Sequence, residues 1–244
     1  MSDDGVIIIE SESGQRFYQA GDLVHLYRGQ IAGDDSSNVY LAATNKQLNG
    51  FIQMDDEVYM VSTGPFTGRK PNTLHVSAPW ELEAWMAKGP FCGVDHMQQP
   101  ALELGQAHKG AANAASRNTC TIIELAIDSD WEYTEDVFDG DAEESAAYAI
   151  TLAGAISEIY TNEVEFQLAL NYVRTWADDS DPYDPNGADM LNQFTDHWRD
   201  NMGGIDRDIA HILTGRDNLP YAGVAWLSTL CNYDWGYSVS GYLN

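Results

Sequence analysis

The residues best suited to chemistry in this chain are six histidines, three cysteines and a large excess of carboxylates. The histidines are His25, His75, His96, His108, His197 and His211, and no two stand four apart. No helix can therefore present a histidine pair to zinc, and the 244 residues contain no H-E-x-x-H. A G-x-S-x-G nucleophile elbow, a P-loop and a G-x-G-x-x-G turn are also missing. The cysteines are Cys92, Cys120 and Cys231, an odd count that leaves at least one unpaired within the chain. Cys120 and Cys231 could bridge, pair elsewhere or stay reduced. Cys92 sits in Phe91-Cys92-Gly93-Val94-Asp95, where the adjacent glycine would let a thiol reach into a cleft. On the residues alone, an ordinary free or paired cysteine is the plainer reading.

The carboxylates set the bulk electrostatics. Asp and Glu number 38 against 12 Lys and Arg, for a formal charge of -26. Phosphates would be repelled and no basic patch exists to release counterions, so nucleic acid is excluded as a partner. An anionic membrane surface is disfavoured for the same reason, and no apolar run approaches the ~18 residues of a membrane-crossing helix. An acidic surface can be simple solvation, or its loops can offer oxygen ligands to calcium. The charge is uneven: residues 1–118 balance at -6, whereas residues 119–244 balance at -20 and contain no lysine. Such a shift points to two units.

Elements that must position these groups follow from the pattern. Residues 6–10, 22–31, 38–44, 48–53 and 58–62 read as short strands separated by Gly, Asp, Ser and Asn clusters, with Asn49-Gly50 as turn chemistry. A small antiparallel meander or sandwich is expected over residues 1–64. Residues 65–118 carry five prolines and an Ala, Gly and Gln-rich stretch, which reads as a long linker with one or two short helices. From residue 119 onward strand and helix alternate. Residues 119–127 form an apolar run suited to a strand buried on both faces. A helix capped by Asp141 runs to about Tyr160, with Leu152, Ile156 and Ile159 on one face. Strands at 164–176, 209–213 and 223–227 and a helix at 188–201 complete an α/β layer with a largely parallel sheet.

These pieces together resemble the adamalysin/reprolysin-type metzincins, which are zinc endopeptidases. Ile123-Glu124-Leu125-Ala126-Ile127 is similar to the first strand of that domain. Asp208-Ile209-Ala210-His211-Ile212-Leu213-Thr214 is similar to its D-x-A-x-L-L-T segment, and Gly223-Val224-Ala225-Trp226 with Cys231 to its G-x-A edge strand. Tyr237-Ser238-Val239-Ser240 looks like the stretch before the active-site helix. In the first unit, Leu26-Tyr27-Arg28-Gly29 and Val39-Tyr40-Leu41-Ala42 resemble a propeptide of the family. Cys92-Gly93-Val94 resembles its cysteine switch, whose thiolate occupies the open position of catalytic zinc.

The resemblance implies a β-rich propeptide over 1–64, a switch-bearing linker over 65–118 and a partial metzincin catalytic domain over 119–244. The last would be a twisted, mainly parallel sheet with two long helices. It makes Gly223, Val224, Ala225 and Trp226 a rail for an extended peptide. It also makes Glu124 and Asp208 candidate calcium ligands, a role favoured by the scarcity of cations that could pair with Glu124 in an apolar strand. His211 reads as a core histidine, and Trp176, Trp198 and Trp226 as core tryptophans. The family's H-E-x-x-H-x-x-G-x-x-H would follow shortly after Asn244. The expectation is therefore the forward part of a secreted, latent proenzyme, itself inactive and holding no zinc. No signal peptide is visible, and no dibasic site lies between Cys92 and Thr119. Two rivals remain: an acidic calcium- or peptide-binding module without activity, and a carbohydrate-active enzyme with paired carboxylates, whose separation nothing fixes.

Overall fold

The computed structural model describes residues 5–55, 57–63, 73–81 and 121–241. Among them, twelve strands form two sheets. The five-stranded sheet is an antiparallel meander of β3 (His25–Ile31), β4 (Asp34–Ala43), β5 (Leu48–Met54), β6 (Glu57–Ser62) and β7 (His75–Ser77). A one-turn helix, α1 (Ala20–Leu23), leads into it. Here the extended reading of residues 22–31 fails at its start, because Gln19 and Asp22 cap each other's backbone and close a turn. Asn49-Gly50 is not a turn either; it lies inside β5. A Cβ at Gly50 would stand 2.0 Å from the Tyr40 carbonyl oxygen, so glycine here permits close approach of β4.

The seven-stranded sheet is mixed. It contains β1 (Val6–Ser11), β2 (Gly14–Tyr18), β8 (Thr121–Ser129), β9 (Phe166–Trp176), β10 (Ile209–Thr214), β11 (Gly223–Ala225) and β12 (Tyr237–Gly241). Their order is β11-β12-β10-β8-β9-β1-β2. The five inner strands are parallel, whereas β11 and β2 run antiparallel at the two edges. This is the α/β layer expected from the alternation of strands and helices, with two differences. Residues 237–241 are a strand lying between β10 and the edge. Residues 6–11, read as part of the first meander, instead pair in parallel with β9, Ile7 opposite Val173 and Ile9 opposite Thr175. Ile7, Ile8 and Ile9 are all buried. Three consecutive buried positions suit an interior parallel strand covered on both faces, and not a half-exposed meander strand.

Two helices cover the sheet. The longer, α2 (Ala142–Val164), starts at Asp141, whose carboxylate accepts the Glu144 N–H at 3.1 Å. It ends at Glu165 in a left-handed conformation. Its alanine-rich body lies in one core with Leu125, Ile127 and Val173 of the large sheet and with Tyr40, Ala42 and Phe51 of the meander. Helix α2 is thus a shared wall between the two sheets. On the opposite face of the large sheet, α3 (Met190–Asn201) buries Leu191, Phe194 and Trp198 against Ala126, Tyr172, Ala210 and Ile212. Cys92 and Cys120 lie outside the described residues, as does most of 65–118.

The contact of meander and helix is tightest at Gly154. Tyr40 donates its hydroxyl to the Thr151 carbonyl at 3.1 Å, and a Cβ at Gly154 would stand 2.0 Å from that hydroxyl oxygen. In an open helix Gly→Ala stabilises by up to about 1 kcal/mol. Here Gly154→Ala is expected to destabilise by about 1–3 kcal/mol through overpacking. A lowered urea midpoint checks this; an unchanged or raised midpoint would show that the meander is not seated on α2.

Candidate functional site

Among the described residues, strand β11 is one of the two edges of the large sheet, β2 being the other. The Trp226 N–H donates to Tyr237 at 3.2 Å and the Gly241 N–H to Ala222 at 2.7 Å, which brackets β11 between two bonded pairs. Antiparallel pairing alternates, so Val224 opposite Val239 is the bonded pair between them. Gly223 and Ala225 then turn their N–H and C=O groups away from β12, toward the open edge. Such a row is a template for an extended peptide. Gly223 presents no side chain there, and its alpha carbon lies over the Val239 carbonyl, 3.2 Å from where a Cβ would sit.

The tryptophan of this segment anchors the strand from behind. Trp226 is buried, donates its indole N–H to Thr195 Oγ1 at 2.9 Å, and meets Trp235 edge-on at 5.3 Å. The core reading fits the Trp226 side chain, which faces α3; its backbone N–H is spent on Tyr237, so of the four expected rail residues only Gly223 and Ala225 offer outward backbone groups. Beyond it the chain turns through Ser228 and Cys231, both at positive φ. Leu227 and Leu230 are about half exposed beside the edge.

Glu124 and Asp208 are brought together, through the backbone. The Asp208 carboxylate accepts the Glu124 N–H at 2.8 Å, and the Asp208 N–H donates back to the Glu124 carbonyl at 2.8 Å. The Asp208 carbonyl also accepts the Cys231 N–H at 3.1 Å. Asp208 thus ties the entry of β10 to β8 and to the loop behind β11. Burial first, and the Asp208 carboxylate second, push the Cys231 thiol up, which disfavours its thiolate. His211 Nδ1 lies 2.7 Å from Ser238 Oγ, and burial pulls its imidazole down to about 4. It stays neutral at physiological pH.

Two buried ionic groups at the far ends of β8 and β9 gave no signal beyond Asp128-Ser129-Asp130 following an apolar run. The first joins Asp128 and Arg174. One oxygen of Asp128 accepts Arg174 Nε at 3.1 Å and Nη2 at 2.5 Å, the Tyr183 hydroxyl at 2.8 Å and the Trp198 indole at 2.8 Å. Burial opposes the charge on Arg174, but the charge and hydrogen bonds of Asp128, together with Tyr183 and Tyr172, outweigh it and raise the guanidinium. Arg174 also faces His197 Nε2 at 3.2 Å; burial and this cation lower the His197 imidazole, so its bare nitrogen accepts the bond.

The second group holds Asp130, Glu132 and Arg216. One Asp130 oxygen accepts the N–H groups of Tyr133 at 2.8 Å and Gly215 at 3.1 Å. Arg216 Nε is 3.5 Å from the other oxygen and 3.8 Å from Glu132. Burial first, then Glu132, raise the Asp130 carboxyl to about 7. Nearby Asp181 accepts the Trp131 and Tyr183 N–H groups, and burial lifts it to about 6. All four arginines of residues 121–241 are engaged inside the molecule or with neighbouring acids. Arg207 stacks on Tyr233 at 4.3 Å, and Arg199 pairs with Asp196 and Asp200.

Among the described residues, no group of three His, Cys, Asp or Glu side chains is arranged to hold a metal ion. His25, His75, His197 and His211 stand on four different elements. The donor set of the described residues therefore does not fit a catalytic zinc.

Comparison with known proteins gives one family. The sequence model of metallo-peptidase family M12 matches residues 116–242. Among solved structures, metalloproteinase-II from Bacteroides fragilis aligns at 12% identity with a TM-score of 0.43, over 96% of this chain and 68% of that one. A chaperone-substrate complex aligns at 11% identity and a TM-score of 0.37, over 85% of this chain and 25% of that one. No curated protein matches the chain.

The raised carboxyls make a pH prediction. Folded Asp130 binds its proton more tightly than the unfolded residue, whose ordinary value is 3.8. Its contribution to stability is full below about 4 and is lost as pH rises to about 7. Asp181 adds the same sign up to about 6. Asp130→Asn should flatten the fall of the urea midpoint between these pH values; parallel curves for parent and variant would contradict the assignment.

Proposed function

The chain belongs to metallo-peptidase family M12, and we propose that it forms the substrate-docking portion of a latent, secreted zinc endopeptidase of the adamalysin/reprolysin type. The zinc ligands and the general base come from outside these 244 residues, which contain no H-E-x-x-H. The observation that carries the reading is the outward-facing backbone of Gly223 and Ala225 on β11. An extended peptide laid along it gains main-chain hydrogen bonds without sequence demand, which is what a proteinase needs to hold a scissile bond in register. Cys92 is the inhibitory zinc ligand in this reading, on the strength of Cys92-Gly93-Val94 alone.

The chain itself binds peptide and does not cleave it. Proteolysis needs a metal-activated water and a base placed beside the bound carbonyl. A peptide-binding module without activity would use the same edge, so activity of a longer form carrying the H-E-x-x-H motif separates the two readings.

Binding of a fluorescent extended peptide to the purified chain, read by anisotropy, tests the edge. Ala225→Pro removes an outward N–H and spares the β11–β12 ladder, a placement that proline tolerates on an edge strand. It should weaken binding about tenfold, the equivalent of about 1.4 kcal/mol, with an unchanged thermal midpoint. Equal binding by the variant would remove β11 from the site. Chelator-sensitive hydrolysis by the pure chain would overturn its inactivity.

A further inference from the structure

The amino-terminal segment does more than lie against the family domain. It supplies two strands of that domain's sheet. Strand β1 pairs in parallel with β9 over five residues, Val6 opposite Tyr172 through Glu10 opposite Trp176, and β2 pairs outside it. The joint is extended at its far end: the Ala177 N–H donates to the Glu10 carbonyl at 2.8 Å, and the Glu12 N–H to the Asp178 carboxylate at 2.9 Å. Glu10 also lies 3.7 Å from the buried Arg174 guanidinium.

The meander adds a second joint on the other side of α2. Tyr40 is fully buried, with Phe51 beside it, in the same core as Ala146, Ala149 and Ile150. Arg28 pairs with Glu158 at 2.7 Å, Lys46 pairs with Asp141, and Thr44 donates to Glu144 at 2.9 Å. Among the described residues, the cations of the first half, Arg16, Arg28 and Lys46, thus sit on carboxylates of the second, which matches the uneven charge of the two halves. Losing the segment would leave β9 as a bare edge and expose the apolar sides of both the sheet and α2.

We infer that residues 5–63 are a permanent part of the folded unit. A cut between Glu81 and Thr121 then converts the protein to two chains held without a covalent bond, and does not release an amino-terminal piece. Maturation by cleavage in that interval would relieve only what lies in the interval itself, leaving the meander and β1–β2 in place. The inference does not rest on the proteinase reading, because retention is measured with neither metal nor substrate.

The test is a full chain carrying a specific protease recognition sequence, flanked by Gly-Ser spacers, inserted between Glu81 and Thr121. After cutting, gel filtration in native buffer should give one peak at the position of the uncut protein, with both pieces in equimolar amounts that part only in denaturant. Separation of the pieces would overturn the inference, and so would precipitation of the carboxy-terminal piece with the other left in solution. Hydrogen exchange on the uncut chain gives an independent reading. The amides of Ile7, Ile8 and Ile9 should be protected as strongly as those of Val173. Exchange of β1 at unprotected rates, with β8 and β9 still protected, would overturn it as well.

Discussion

The fold turns on one buried ion pair. Asp128 is fully buried at the end of β8, and a single one of its oxygens gathers the Arg174 guanidinium of β9, the Tyr183 hydroxyl and the Trp198 indole of α3. Two charges removed from water are costly unless geometry and further hydrogen bonds compensate them. Here the compensation comes from three different parts of the chain, so the pair also sets where they sit. Helix α3 is positioned over the sheet by Trp198, the 178–187 loop by Tyr183, and β1 approaches Arg174 through Glu10. Removing one partner would strand the other charge in the interior, a loss of about 3–5 kcal/mol. Helix α3 in turn carries Thr195, which holds the indole of Trp226 behind the open edge. The candidate site is therefore linked to this pair through one helix.

The opposite face of the sheet works by size and not by charge. Ala146, Ala147, Ala149 and Ala153 keep α2 narrow, and Gly154 removes a side chain where the Tyr40 ring approaches. A helix with small residues on two sides can serve two sheets at once. That is why the meander and the family domain share a core, and why the chain divides by charge at residue 118 without dividing into separate cores.

Much of the second half was legible in the sequence. The apolar run read at 119–127, which lies largely within β8, the Asp141 cap and the spacing of Leu191, Phe194 and Trp198 each followed from local rules. The edge segment was found because glycine and alanine there matched a family pattern. Which of its amides face outward was not legible, because that depends on the phase of pairing with β12. Strand β1 was legible as a strand but not as a member of this sheet; its partner is more than 150 residues away, and only the triple isoleucine hinted at burial on both faces. The pairing of Asp128 with Arg174 was likewise hidden, since acids after a strand look like a solvated loop. The short helix before β3 was missed because Gln19 and Asp22 cap it reciprocally, a local bond that outweighs the extended tendency of the residues after it.

The engagement of every arginine in residues 121–241 has a consequence for molecules that meet this surface. With Arg174 and Arg216 sunk in the interior, Arg207 stacked on rings and Arg199 taken by Asp196 and Asp200, the other outer acids of this half have no cation from residues 121–241 to answer them. The molecule consequently projects a field of one sign several ångströms into solvent, over about one Debye length at physiological salt. Lysine- and arginine-rich chains drift toward that field faster than neutral ones and acidic chains are turned away, a kinetic filter that dissolved salt switches off without moving an atom of the protein.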